Sequence, residues 1–97
     1  MSKNQEFPNI HHNIRLGLLE NAREAPTSPG VYLMKDLTDL VIYVGKAKNL
    51  KSRLLTYFQT EVHEEPRIQL LVNRIQGFEV ILTETESEAL ILEATLI

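Results

Sequence analysis

Two short apolar runs, Gly30-Val31-Tyr32 and Tyr43-Val44-Gly45, each carry one tyrosine, and the two tyrosines stand eleven residues apart. Between them lies Asp36-Leu37-Thr38-Asp39, a polar turn-like stretch, so residues 30–35 and 40–45 are expected to form the two strands of an antiparallel hairpin. If the hairpin turns about Leu37 and Thr38, Tyr32 lies opposite Tyr43. Alternation then puts Val31, Leu33, Ile42 and Val44 on one face, with Tyr32, Met34, Val41, Tyr43 and the bare backbone of Gly45 on the other. In an ordinary hairpin such facing tyrosines serve only the sheet. Here the second strand runs straight into Lys46-Ala47-Lys48-Asn49-Leu50-Lys51-Ser52-Arg53. Two phenols beside a cluster of cations make a place where an anion such as a phosphodiester would sit.

The net charge of −3 argues on its own against a nucleic-acid binder. Its distribution argues the other way. Between Leu40 and Thr60 there are four basic residues, Lys46, Lys48, Lys51 and Arg53, and no acid, whereas acids crowd 61–65 and 84–88. The local potential is what an anionic partner meets first. A solvated helix face is the plainer reading of such a run, and the adjoining tyrosine hairpin favours the binding one. Ninety-seven residues with 43% apolar content provide for one small globular core. With no cysteine there is no disulfide, no thiolate nucleophile and no thiolate metal site. No apolar run approaches the length needed to cross a membrane, and a cytoplasmic location is expected.

Residues 1–25 read as a leader with one short helix, from an N-cap at Asn13 to about Arg23; the adjacent His11 and His12 diverge too far to form a metal site. Pro26-Thr27-Ser28-Pro29-Gly30 separates this leader from the main unit, residues 26–97. Asn49 caps a helix from Leu50 to about Phe58, with Leu50, Leu54, Tyr57 and Phe58 in one apolar stripe. Arg53 lies one turn before Tyr57 at the edge of that stripe, where it either snorkels to water or stays at the core's rim. Beyond the acidic linker 61–66, a helix from Pro66 to about Gln76 turns Ile68, Leu71, Val72 and Ile75 inward and ends at Gly77 as C-cap. Phe78 to Thr83 alternates as a third strand. The expected fold is α/β (α+β), a small central three-stranded antiparallel sheet flanked by helices.

Thr85-x-x-Glu88 is a capping box that opens a last helix, almost wholly apolar and so expected to be buried on most sides. Glu93 is the one charge in its body. A carboxylate there is costly unless a cation, a set of hydrogen bonds or an exposed rim compensates it. The abrupt apolar finish at Ile97 points to a piece of a longer polypeptide.

These residues together resemble the GIY-YIG nuclease superfamily, and within it the N-terminal nuclease domain of UvrC. The resemblance runs through Pro29-Gly30-Val31-Tyr32-Leu33-Met34-Lys35-Asp36, Val41-Ile42-Tyr43-Val44-Gly45-Lys46-Ala47-Lys48-Asn49-Leu50 and Glu88-Ala89-Leu90-Ile91-Leu92-Glu93-Ala94-Thr95-Leu96-Ile97. It covers 26–97. Valine stands at the second position of each motif where the superfamily's name has isoleucine, and the family's asparagine beyond the last helix has no counterpart before Ile97. The resemblance implies a catalytic set of Tyr43, Tyr32, Arg53, Lys46, Tyr57 and Glu93. Glu93 would be the ligand of a single divalent cation, Mg2+ or Mn2+. Gly45, Lys46, Lys48, Lys51 and Arg53 would bind DNA phosphates, with Tyr43 activated by neighbouring cations that lower its pKa and Tyr32 orienting it. It further implies a monomeric nuclease unit making the 3′ incision in nucleotide excision repair, with damaged duplex DNA and UvrB as partners. A stand-alone GIY-YIG endonuclease, or a non-catalytic module with the same fold, are the alternatives.

Overall fold

The computed structural model describes residues 10–60 and 63–97, with backbone only for 10–12; the side chains of His11 and His12 therefore lie outside the described residues. Seven elements follow in order: α1 (Ile10–Arg23), β1 (Gly30–Lys35), β2 (Val41–Ala47), α2 (Leu50–Gln59), α3 (Pro66–Arg74), β3 (Gly77–Leu82) and α4 (Glu86–Leu96). The sheet has the order β2-β1-β3 with both pairings antiparallel. The main core joins α1, α2, α3 and one sheet face through Leu18, Leu19, Met34, Leu54, Phe58 and Ile75. α4 packs against β1 and β2. Val31 and Ala89 are fully buried yet stand outside that main core, which places α4 on the opposite sheet face. Among the described residues no helix is long and apolar enough to cross a membrane.

The α2 expectation holds in detail. Asn49 Oδ1 accepts the Ser52 N–H at 3.0 Å, and Leu50, Leu54, Tyr57 and Phe58 are all buried. The proline-rich segment before β1 is bound to the rest of the fold by its carbonyls. Ser28 and Pro26 accept from Leu50 N–H and Lys51 N–H, and Pro29 accepts from Thr83 N–H.

Several local expectations are corrected. α1 begins at Ile10, so Asn13 lies inside the helix and does not cap it; nothing in Ile10-His11-His12 breaks a helix. The hairpin register differs by two residues: Tyr32 opposes Gly45, and Tyr43 opposes Met34. Its cause is loop chemistry. Asp36 Oδ1 gathers the Thr38 N–H, the Thr38 hydroxyl and the Leu40 N–H, and Asp39 takes a left-handed φ of 68°, so the turn takes in Leu40 as well. A bulge then leaves Ile42 without a partner and packs it on the main core, away from Val31 and Val44. A shift of two keeps parity, so Tyr32, Met34, Tyr43 and Gly45 still share a face.

α3 stops at Arg74, and Gly77 is no C-cap. The Gln76 N–H donates to Lys35 O at 2.8 Å, which draws the chain into the sheet before Gly77 is reached. α4 does open with its box. Glu88 N–H donates to Thr85 Oγ1 at 3.0 Å, while the Glu88 carboxylate reaches back to Glu84 N–H at 2.7 Å. Its burial is overturned, since only Ala89 is buried and Leu90 and Ile91 are 52% and 68% exposed. A three-stranded sheet is narrow enough to cover one side of a single helix and no more.

Candidate active site

Tyr32 is the anchor of the site. Its ring is buried in the main core at 1% exposure and lies across the backbone of Gly45 on the neighbouring strand. A Cβ at Gly45 would fall on the Tyr32 ring and hydroxyl, far inside van der Waals contact. Gly45 is therefore required by close approach and not by a positive φ, which no described glycine has. Gly30, the glycine of the first motif, is held by the same kind of crowding: a Cβ there would strike Ile81 O and come 2.7 Å from a Leu50 methyl. Both motif glycines thus allow the sheet and α2 to close around the tyrosine.

Three phenols converge. The Tyr32 and Tyr57 hydroxyls meet at 2.9 Å inside the core, their rings edge-to-face at 5.7 Å, and the Tyr43 ring lies 6.2 Å from that of Tyr32. Tyr43, 40% exposed on the outer strand β2, is the phenol open to a substrate. Burial pushes the Tyr32 phenol above its ordinary pKa, partly offset by the hydrogen bond to Tyr57 and by Arg53. Burial and the bond to Tyr32 push Tyr57 up further. Tyr43 is raised as well, first by desolvation, then by Tyr57 and the Glu93 charge, with Arg53 pulling downward. The expectation that neighbouring cations lower the Tyr43 pKa is therefore corrected. Arg53 is the cation that reaches it, and burial with two acidic neighbours outweighs one guanidinium. Tyr57, which the resemblance placed in the catalytic set without assigning it a role, is coupled through its hydroxyl to both other tyrosines.

The cations line the adjoining surface. An open depression of about 400 Å³ is bordered by Lys46, Lys48, Asn49, Ser52, Arg53 and Glu86. Lys51 is half-buried next to Lys48's loop and does not border it. The first N–H groups of α2 are already satisfied, by Pro26, Ser28 and Asn49, so an anion here would be held by side chains and not by the free end of a helix. Glu86 was missed by the sequence reading. It lies seven residues before Glu93, two turns away on one helix face, and that spacing was the available signal.

Glu93 is half-buried on α4, and its charge reaches Tyr43. Among the described residues no cluster of three or more His, Asp or Glu side chains surrounds it. A single half-buried carboxylate is a donor set suited to a hard cation that keeps most of its water, as Mg2+ does, and unsuited to zinc.

The model of the UvrC-like GIY-YIG domain family matches residues 28–97. UvrABC system protein C of Gloeobacter violaceus is 51% identical over 80 residues, which is 82% of this chain and 13% of that protein. The same protein of Methanosphaera stadtmanae is 55% identical over 80 residues, covering 81% of this chain and 13% of its own length. The chain thus spans about 13% of these curated relatives. Among solved structures, the magnesium-bound GIY-YIG N-terminal endonuclease domain of UvrC from Thermotoga maritima is similar with a TM-score of 0.70 at 35% identity, covering 88% of this chain and 86% of that one. The magnesium there is described as that domain's catalytic divalent cation.

Proposed function

The chain belongs to the UvrC-like GIY-YIG family, and we propose that it is a metal-dependent DNA endonuclease unit that hydrolyses one phosphodiester bond. In the setting of a whole UvrC-type protein this would be the incision on the 3′ side of a lesion, on DNA presented by UvrB. On this reading residues 26–97 form the nuclease and the first 25 residues precede it, with α1 bracing α2. The observation that carries the reading is the meeting of Tyr43, Tyr57, Arg53 and Glu93, from three separate elements, beside a depression lined with Lys46 and Lys48.

Glu93 would hold one divalent cation, Mg2+ or Mn2+. Such an ion supplies Lewis acidity and positive charge at a phosphodiester. The protein's own groups do the rest. Water oxygen forms a bond to phosphorus, the bond from phosphorus to the leaving oxygen breaks, and one proton must leave the water while one reaches the leaving oxygen. Tyr43, the exposed phenol, would align that water and, once its own proton has passed to solvent, accept the water's proton as phenolate. Its raised pKa means that it needs local positive charge to do so, and Arg53 is the protein's contribution. Tyr57, braced by Tyr32, would fix the direction of the Tyr43 hydroxyl. Arg53 and Lys46 would offset charge building on the phosphorus oxygens. Lys48 and Lys51 would bind flanking phosphates without reading sequence.

Nicking of supercoiled plasmid should depend on Mg2+ or Mn2+ and stop with EDTA. Glu93→Gln should lose both nicking and calorimetric Mg2+ binding while keeping DNA affinity. Nicking that persists in Glu93→Gln would remove the metal assignment.

A further inference from the structure

Arg53 borders a second depression of about 400 Å³, on the side away from Lys46 and Lys48, with Thr56, Tyr57, His63 and Ile68. The two hollows lie in series along α2. Asn49, Ser52 and Arg53 face the basic one; Arg53, Thr56 and Tyr57 face the other, about 6 Å further along at 1.5 Å per residue. Their chemistry differs. The first carries Lys46, Lys48 and Arg53, whereas the second has Arg53 as its one permanent cation and presents a phenol ring, an imidazole and an isoleucine side chain.

The polar groups of the second hollow are committed in a particular sense. His63 Nε2 lies 3.0 Å from the Tyr57 carbonyl, which can only accept, so Nε2 donates, and in the neutral ring Nδ1 is then an acceptor. The His63 backbone is fixed by its N–H donating to Gln69 Oε1 at 2.6 Å. The Thr56 hydroxyl spends its hydrogen on Ser52 O at 2.9 Å, which leaves its oxygen as an acceptor too. The Tyr57 hydroxyl is engaged with Tyr32. Away from Arg53 the hollow therefore offers ring faces, methyl groups and acceptors. A phosphate, itself all acceptor, fits this badly, and a nucleobase bearing an exocyclic amine fits it well.

Resting on the nuclease reading above, we propose that this second hollow is a subsite for the sugar and base of the nucleotide adjoining the scissile phosphate, with His63 as its positioning residue. A strand laid along α2 then has the phosphate to be cut at Arg53 and Lys46, the next phosphate against Lys48, and the neighbouring base against His63, Tyr57 and Ile68. The basic hollow grips the backbone and the ringed hollow sets the strand's advance.

The test uses oligonucleotide duplexes cut at one known phosphate, intact or with a tetrahydrofuran abasic residue on either side of it. Nicking with Mg2+ is followed, and binding is measured separately by fluorescence anisotropy in EDTA. His63→Ala should raise KM and Kd on the intact duplex about tenfold with kcat within about twofold, the size expected for losing one base contact. On one of the two abasic duplexes wild type and His63→Ala should become equal, and His63→Phe, which keeps a ring, should recover most of the loss. An unchanged Kd in His63→Ala, or equal losses on intact and abasic duplexes, overturns the proposal; the second result would mean only that α2's last turn has been loosened. Failure of the wild type to nick any duplex overturns the nuclease reading instead, and the anisotropy arm still decides the subsite.

Discussion

The hydroxyls of Tyr32 and Tyr57, 25 residues apart in the chain, meet at 2.9 Å inside the core. One phenol comes from the central strand and the other from α2, so the bond ties that helix to the sheet from inside the core. It also gives each of two buried hydroxyls a partner, and no buried side-chain nitrogen or oxygen among the described residues is left without one.

Removing either hydroxyl leaves the other short of its partner. Tyr32→Phe and Tyr57→Phe should each destabilise the fold by about 1–2 kcal/mol, within the range for an orphaned buried hydroxyl. The double variant should cost less than the sum, with a coupling of about 1 kcal/mol for groups in direct contact. Urea denaturation of the four proteins gives the cycle, and strict additivity would show that the bond contributes nothing.

Alkaline pH should act through the same pair. Both phenols have folded-state pKa values above the ordinary value near 10, burial being the first cause in each. The unfolded chain therefore ionises at these positions while the folded one keeps its protons. Stability is fully present below pH 10 and falls as pH rises beyond it, with a limiting slope of about 1.4 kcal/mol per pH unit for a group ionised only in the unfolded chain. Tyr43 adds in the same direction. Urea midpoints measured from pH 9 to pH 11.5 should drop steeply in the wild type and less steeply in Tyr32→Phe/Tyr57→Phe. Parallel slopes would refute the assignment.

Gly45 offers a test by addition. A methyl group there must displace the Tyr32 ring, which has no free space to move into. Gly45→Ala should therefore cost about 1–3 kcal/mol, as overpacking does, and should also disturb the Tyr32–Tyr57 bond. The check is the double variant with Tyr32→Ala, which frees that space. Gly45→Ala should be much less destabilising in that background than in the wild type.

Much of this was legible in the sequence, and the failures have separate physical causes. The α2 cap and stripe, the α4 box and the sharing of one face by Tyr32, Tyr43 and Gly45 follow from local rules that depend on nearest neighbours alone. The hairpin register did not, because Asp36 draws Leu40 into its turn and Ile42 bulges, two choices that alternation cannot reveal. Gly77 misled because a competing sheet bond from Gln76 reaches Lys35 first. α4 misled because its apolar composition states what it could bury and not how much sheet is there to cover it. The sign of the Tyr43 shift was inaccessible for a related reason. The basic residues are neighbours in sequence, while the burial that raises the pKa most, and the Tyr57 and Glu93 groups that add to it, come from the packing of distant elements around the phenol.

That last relationship can be measured without any nuclease assay. Glu93 raises the Tyr43 pKa, so replacing its charge should lower it. In Glu93→Gln without metal, the Tyr43 phenol, followed by NMR of ring-labelled tyrosine and assigned through Tyr43→Phe, should titrate at lower pH than in the wild type. Arg53→Gln should shift it upward, since the guanidinium is the group pulling it down. Adding Mg2+ to the wild type should move Tyr43 in the same direction as Glu93→Gln, and adding it to Glu93→Gln should move nothing. A Tyr43 titration indifferent to Glu93 would mean that the carboxylate and the phenol do not share a site, and the proposed division of labour between them would fall with it.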